Sequence, residues 1–124
     1  VIEQLKKDPA AAEVPIILYT KGGSPWIVDI AAQAARLSVV TGGPVSLGAV
    51  RQLVRDQVAL QGNLDPAVLF ASSEQIREQV AAGLTDFGEG PGHVFNLGHG
   101  IPPGVSPDRV ATLVDAVHQL SCAG

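Results

Sequence analysis

Pro15-Ile16-Ile17-Leu18-Tyr19-Thr20-Lys21-Gly22-Gly23-Ser24-Pro25 holds one βα unit in outline. Its apolar run is nearly continuous rather than alternating, which suits a strand buried on both faces of a parallel sheet. A glycine pair follows, then Ser24-Pro25, an N-cap with proline at the first helical position. The same order of signals recurs outward from this stretch. Leu37-Ser38-Val39-Val40-Thr41 precedes Gly42-Gly43, and Val58-Ala59-Leu60-Gln61 precedes Gly62. His93-Val94-Phe95-Asn96-Leu97 lies inside a glycine-rich stretch running from Gly88 to Gly104. Alternating runs joined by two-residue turns, the mark of antiparallel hairpins, are absent.

Helices fill the intervals. The one opened by Ser24-Pro25 extends to about Arg36, with Asp29, Gln33 and Arg36 as a narrow polar stripe on an otherwise apolar cylinder. Leu47, Val50 and Val54 mark a second, with Arg51 and Arg55 on its wet side. Ser72 and Gln75 fit a capping box ahead of a third, with Ile76, Val80, Leu84 and Phe87 inward and Gly88 as the C-cap. Ser106-Pro107 opens a fourth, with Val110, Leu113, Val114 and Val117 on one face. Four β–loop–α units follow a helix-like opening, Val1-Ile2-Glu3-Gln4-Leu5-Lys6-Lys7, with no linker between them. A doubly wound sheet would be complete at this length, whereas a (β/α)8 barrel needs about 250 residues and would be half present. The mid-helix opening and the polar, glycine-rich text after every strand favour half of a barrel, with its βα loops gathered at one site.

The 124 residues carry 8 Lys+Arg against 12 Asp+Glu, a formal net charge of −4, with 46% apolar and 16% charged residues. That supports a real core and opposes a disordered tail. The acidic balance opposes a nucleic-acid partner, which requires a basic stripe. No apolar run approaches the ~20 residues of a membrane span. The single cysteine, Cys122, permits no internal disulfide and points to a reducing compartment. With no initiator methionine and no signal segment, the chain reads as a piece cut from a longer protein.

Chemistry belongs in the loops after the strands. His99, between Gly98 and Gly100, is the residue to single out: the flanking glycines leave an imidazole uncrowded at a strand's C-terminal end. It can hydrogen-bond, exchange a proton near neutrality or take a metal; the bland alternative is a bond to a neighbouring loop carbonyl. His93, at a strand start, reads as structural, and His118, on the last helix, as a surface or interface residue. Lys21 suits an anion or, if desolvated, a Schiff base; it also suits a lysine snorkelling to solvent. Asn63 and Asp65 could hold a ligand, although Asn-Leu-Asp-Pro is also a good turn and helix opening. Trp26 and Phe95 read as packing. No His-x-His or Cys-x-x-Cys spacing supports a metal, and Gly88 to Gly92 fits no nucleotide-loop spacing.

Val58-Ala59-Leu60-Gln61-Gly62-Asn63-Leu64-Asp65-Pro66, followed by His93-Val94-Phe95-Asn96-Leu97-Gly98-His99-Gly100-Ile101, resembles the C-terminal part of uroporphyrinogen decarboxylases. The likeness extends to Val14-Pro15-Ile16-Ile17, Lys21-Gly22-Gly23, Val105-Ser106-Pro107 and Val114-Asp115-Ala116-Val117-His118, so it covers nearly the whole chain. The resemblance implies residues 1–124 as the C-terminal half of one (β/α)8 TIM barrel, about four parallel strands with alternating helices, the N-terminal half being absent. It further implies a cytoplasmic, homodimeric enzyme that removes carbon dioxide from the four acetate side chains of uroporphyrinogen without metal or organic cofactor. The family's principal catalytic residues lie upstream of this chain. Only His99 carries over, as a substrate-binding residue. The family usually carries Gly-Leu-Asp-Trp after the second strand, where this chain has Val40-Thr41-Gly42-Gly43; a carboxylate and a large side chain are replaced by glycines. Two alternatives stand beside this reading. Corrinoid- or thiol-directed methyltransferases share the barrel but place cysteine near the histidine to hold zinc, and a non-catalytic half-barrel could serve as a binding scaffold. Made alone, the chain is expected to dimerise or aggregate and to lack activity.

Overall fold

The computed structural model describes residues 7–9, 16–21, 37–42 and 45–121. Four strands, β1 (Ile16–Lys21), β2 (Leu37–Gly42), β3 (Ala59–Leu64) and β4 (His93–Leu97), form one sheet in chain order. Every neighbouring pair is parallel: Ile16 lies opposite Leu37, Ser38 opposite Ala59, and Leu60 opposite His93. Parallel neighbours require crossovers. Those described carry α1 (Leu47–Val54) between β2 and β3 and α2 (Ser73–Phe87) between β3 and β4; α3 (Pro107–Ser121) follows β4. The chain is therefore α/β, and its sequential order lacks the reversal that defines a doubly wound sheet. The helix expected over 25–36, Trp26, the glycines 22, 23 and 43, and Cys122 lie outside the described residues.

Local chemistry sets the helix ends as the sequence predicts. Ser72 Oγ accepts from the Gln75 amide at 3.2 Å while Gln75 Oε1 accepts from the Ser72 amide at 3.1 Å, a complete capping box at the start of α2. Gly88 ends that helix at φ +87°, a conformation that costs glycine nothing, and its amide donates to Leu84 O at 3.0 Å. Ile76 and Val80 are fully buried and form one cluster with Leu69, Leu113 and Ala116, onto which Leu64, Phe95 and Leu97 of the sheet pack. The core thus lies between α2 and α3 and one face of β3 and β4.

Three details depart from the expectations. β3 runs through Leu64 rather than stopping at Gln61, because Leu64 pairs with Leu97 and joins the core. On α3 the buried positions are Leu113 and Ala116, whereas Val114 is 44% exposed; the small alanine lets α3 approach, and Val114 turns toward the flank of β4. Arg51 is not on the wet side of α1. Its guanidinium sits 4.4 Å over the Phe87 ring, donates to the carbonyls of Phe87 (2.9 Å) and Glu89 (2.7 Å), and pairs with Asp56 at 3.0 Å. Arg55 is exposed as expected. A second tie joins α1 to the end of α2. Asp86 accepts from Ser46 Oγ at 2.7 Å and from the Gly48 amide at 3.2 Å, placing a carboxylate at the positive end of α1.

Candidate functional site at the C-terminal rim

Because all four strands run the same way, their C-terminal ends share one rim: Lys21 lies opposite Gly42, and Leu64 opposite Leu97. Beyond Leu97, the Gly98 amide donates to Leu64 O at 2.8 Å, which holds the start of the loop in line with β3. His99 follows, exposed, and at Gly100 a side chain would meet nothing within 4 Å. Among the described residues no group hydrogen-bonds to the His99 imidazole, so the loop-carbonyl alternative is not realised here. His99 lines a cavity of about 620 Å³ with Asn96, Ile101, Val114 and His118, along the flank of β4. His118 is exposed, as a surface residue should be.

The two faces of β3 and β4 differ. Leu60, Gly62, His93, Phe95 and Leu97 turn toward the helices. Gln61, Asn63, Val94 and Asn96 occupy the other face, in register as Gln61–Val94 and Asn63–Asn96. Asn63 Nδ2 donates to Val45 O and so ties the loop after β2 to β3. Asp65 is the cap of the 3-10 turn Pro66–Phe70, its Oδ1 accepting from the Ala67 amide at 2.9 Å; the turn-forming role is the one the structure assigns. Lys21 ends β1 at the rim.

His93 lies at the far end of β4, away from the rim, in a structural setting as expected. Its ring stacks on Phe87 at 4.2 Å and 17°, and tilts against Phe95 at 5.6 Å. Burial holds its pKa below the ordinary value, Arg51 adds to the lowering, and the Gly62 backbone and Asp86 partly oppose it. Phe87 is therefore covered by a guanidinium and by an imidazole held neutral. Sequence reasoning missed the role of Arg51, which depends on contacts between distant segments.

Chemically, the rim offers an imidazole able to donate, accept or exchange a proton, and carboxamides able to orient polar groups. Among the described residues no group of three or more His, Cys, Asp or Glu side chains converges to hold a metal, and no helix is long and apolar enough to cross a membrane.

Parallel βα units in chain order define an α/β protein, a class in which ligands bind outside the carboxyl ends of the strands. The family model described as Uroporphyrinogen decarboxylase (URO-D) matches residues 1–120. The chain is 51% identical to a uroporphyrinogen decarboxylase of Burkholderia cenocepacia over 123 residues, 99% of this chain and 34% of that protein. It is 48% identical to the one of Alkalilimnicola ehrlichii over 121 residues, 98% of this chain and 33% of that protein. The corresponding figures for the one of Methylibium petroleiphilum are 52% over 124 residues, 98% and 33%. The chain belongs to the uroporphyrinogen decarboxylase family. It spans about a third of the length of these relatives.

Proposed function

We propose that the complete protein containing this chain decarboxylates the four acetate side chains of uroporphyrinogen to methyl groups, giving coproporphyrinogen. Residues 1–124 would be the C-terminal half of its single (β/α)8 barrel. The sequential parallel sheet supports this, as does the free flank of β4. Leu60 N–H donates to Gly92 O at 2.7 Å and Gly98 N–H to Leu64 O at 2.8 Å. In the parallel register the even-numbered backbone groups of β4 therefore face β3, and those of His93, Phe95 and Leu97 face outward, ready for a further strand. Homodimer formation and a cytoplasmic location belong to the same proposal.

Each step converts R–CH₂–COO⁻ and one proton into R–CH₃ and CO₂. Protonation of the pyrrole at carbon turns the ring into an electron sink. The bond to the carboxylate then breaks, its electron pair enters the ring, and the exocyclic carbon takes a proton as the ring gives one up. The substrate itself supplies what an organic cofactor supplies elsewhere. The protein's work is to position one carboxylate, hold the others and manage protons. His99 is the residue of this chain assigned to that work, as a contact to a substrate carboxylate. The observation that carries it is an imidazole standing free between two glycines at the C-terminal rim of a parallel sheet. In the full-length protein, His99→Asn should lower coproporphyrinogen formation by up to about 10²–10⁴-fold. Its thermal unfolding should stay unchanged, because the side chain is exposed. Unchanged turnover removes His99 from the site, and a wild-type protein that yields no coproporphyrinogen rejects the activity.

A further inference from the structure

Val94 and Asn96 lie on the sheet face turned away from the helices, and Val94 is 48% exposed there. In the barrel proposed above this face is the interior, and the matched relatives are about three times as long as this chain. Asn96 sits two residues nearer the rim, on the same face. Its Oδ1 accepts from the Leu97 amide at 2.9 Å, which settles which end of the carboxamide is oxygen. Nδ2 is left with two donors and, among the described residues, no acceptor. Its register partner Asn63 contrasts with it, having committed Nδ2 to Val45 O. A covered face cannot leave those donors unpaired without a penalty comparable to a lost hydrogen bond. An NH₂ group can be satisfied only by an acceptor, and Asn96 stands three residues before His99 at the rim end of β4.

We infer that Asn96 is a further ligand-contacting residue, presenting the N–H groups of Nδ2 to a carboxylate of the ligand beside His99. The inference rests on the function proposed above, since a polycarboxylate ligand supplies the acceptor. The chemical selectivity is toward acceptors such as a carboxylate: Nδ2 is donor-only, and the oxygen is engaged by the Leu97 amide.

The test uses the full-length protein and uroporphyrin, the oxidised ring with the same carboxylates, as a binding probe read by fluorescence. Asn96→Ala should weaken probe binding by about ten- to a hundred-fold, the loss of a hydrogen bond to a charged group. Asn96→Asp is the same size, keeps an oxygen for the Leu97 amide, and should weaken binding further by facing carboxylate with carboxylate. It also preserves the test if the alanine variant does not fold. The thermal midpoint should stay within about 0.5 °C of wild type for both, less than the roughly 1 °C or more that a lost buried bond would cost a protein of this length, and KM for uroporphyrinogen should rise more than kcat falls. Wild-type probe affinity in both variants overturns the inference, as does a lowered midpoint with KM unchanged, which would assign the donors to a protein carbonyl. A wild-type protein that binds the probe without decarboxylating uroporphyrinogen rejects the activity and leaves Asn96 standing. Decarboxylation by the wild type, with an Asn96→Ala variant binding as tightly, does the reverse.

Discussion

The two ends of β4 treat polar groups in opposite ways. At the N-terminal end Arg51 and His93 are turned into the protein, and the exposed Asp86 is spent on the start of α1. The guanidinium, 19% exposed as a side chain, holds two carbonyls, one carboxylate and one aromatic face, and Asp86 caps α1. At the C-terminal end His99 and the Nδ2 of Asn96 have no protein partner among the described residues. Polar groups that fasten elements to one another cannot also meet a ligand, so a parallel sheet separates the two tasks along its strands: stability at the bottom, chemistry at the top. Substitutions at the lower end should therefore move stability while leaving the kinetics of folded protein alone, the reverse of what is expected at His99 and Asn96.

The largest effect on that side belongs to Arg51. Arg51→Met keeps the stem and removes the bonds to the carbonyls of Phe87 and Glu89 and the charge over the Phe87 ring. The expected loss is about 2–4 kcal/mol in the full-length protein, from charged hydrogen bonds and one partly buried cation–π contact. Denaturant midpoints measure it, and kcat/KM per folded molecule should be unchanged. Removing Asp56 instead should cost under about 1 kcal/mol, because its side chain is 72% exposed. A loss of turnover without a loss of stability would break the division between the two ends. Next in size is Gly48→Ala. A Cβ there would lie 2.0 Å from Asp86 O, so α1 must back away from the end of α2. Overpacking of this kind costs about 1–3 kcal/mol, again read as a lowered midpoint with KM unaltered.

Legibility in the sequence follows the range of the interactions. The capping box at Ser72 and Gln75, the turn at Gly88 and the inward stripe of Ile76, Val80 and Phe87 were readable because each is decided within a few residues. The exposure of His99 was readable for the same reason, since its two glycine neighbours set its surroundings. β3 was read too short because its last residues are held by Leu97 and Gly98, which lie more than thirty positions away. Arg51 was misread because its partners Phe87 and Glu89 are 36 and 38 residues on; helical spacing alone puts it on the solvent side. Asn63 and Asn96 are the same residue type at paired positions, and only the placement of Val45 and of the Leu97 amide distinguishes a loop fastener from a free donor.

The smallest effect sharpens the comparison by pH. His93 is held below the ordinary histidine value chiefly by burial, and its buried Nε2 has no hydrogen-bond partner among the described residues. The unfolded chain therefore binds the His93 proton more readily than the folded one. The stability associated with a neutral His93 is fully present above about pH 6.5, the unfolded value. It is lost progressively as pH falls from there toward the lowered native value, at no more than about 1.4 kcal/mol per pH unit for one proton. Arg51 stands across Phe87 from the imidazole, so protonation also sets two cations about one ring, with Asp86 only partly compensating. His93→Phe, which keeps the stack on Phe87, should flatten the dependence of the unfolding midpoint on pH between about 7.5 and 5 and leave the activity profile of folded protein unmoved. Equal slopes for wild type and His93→Phe would mean that His93 takes up its proton as readily in the folded protein as in the unfolded chain, and the lower end of β4 would then hold a group open to titration rather than a sealed one.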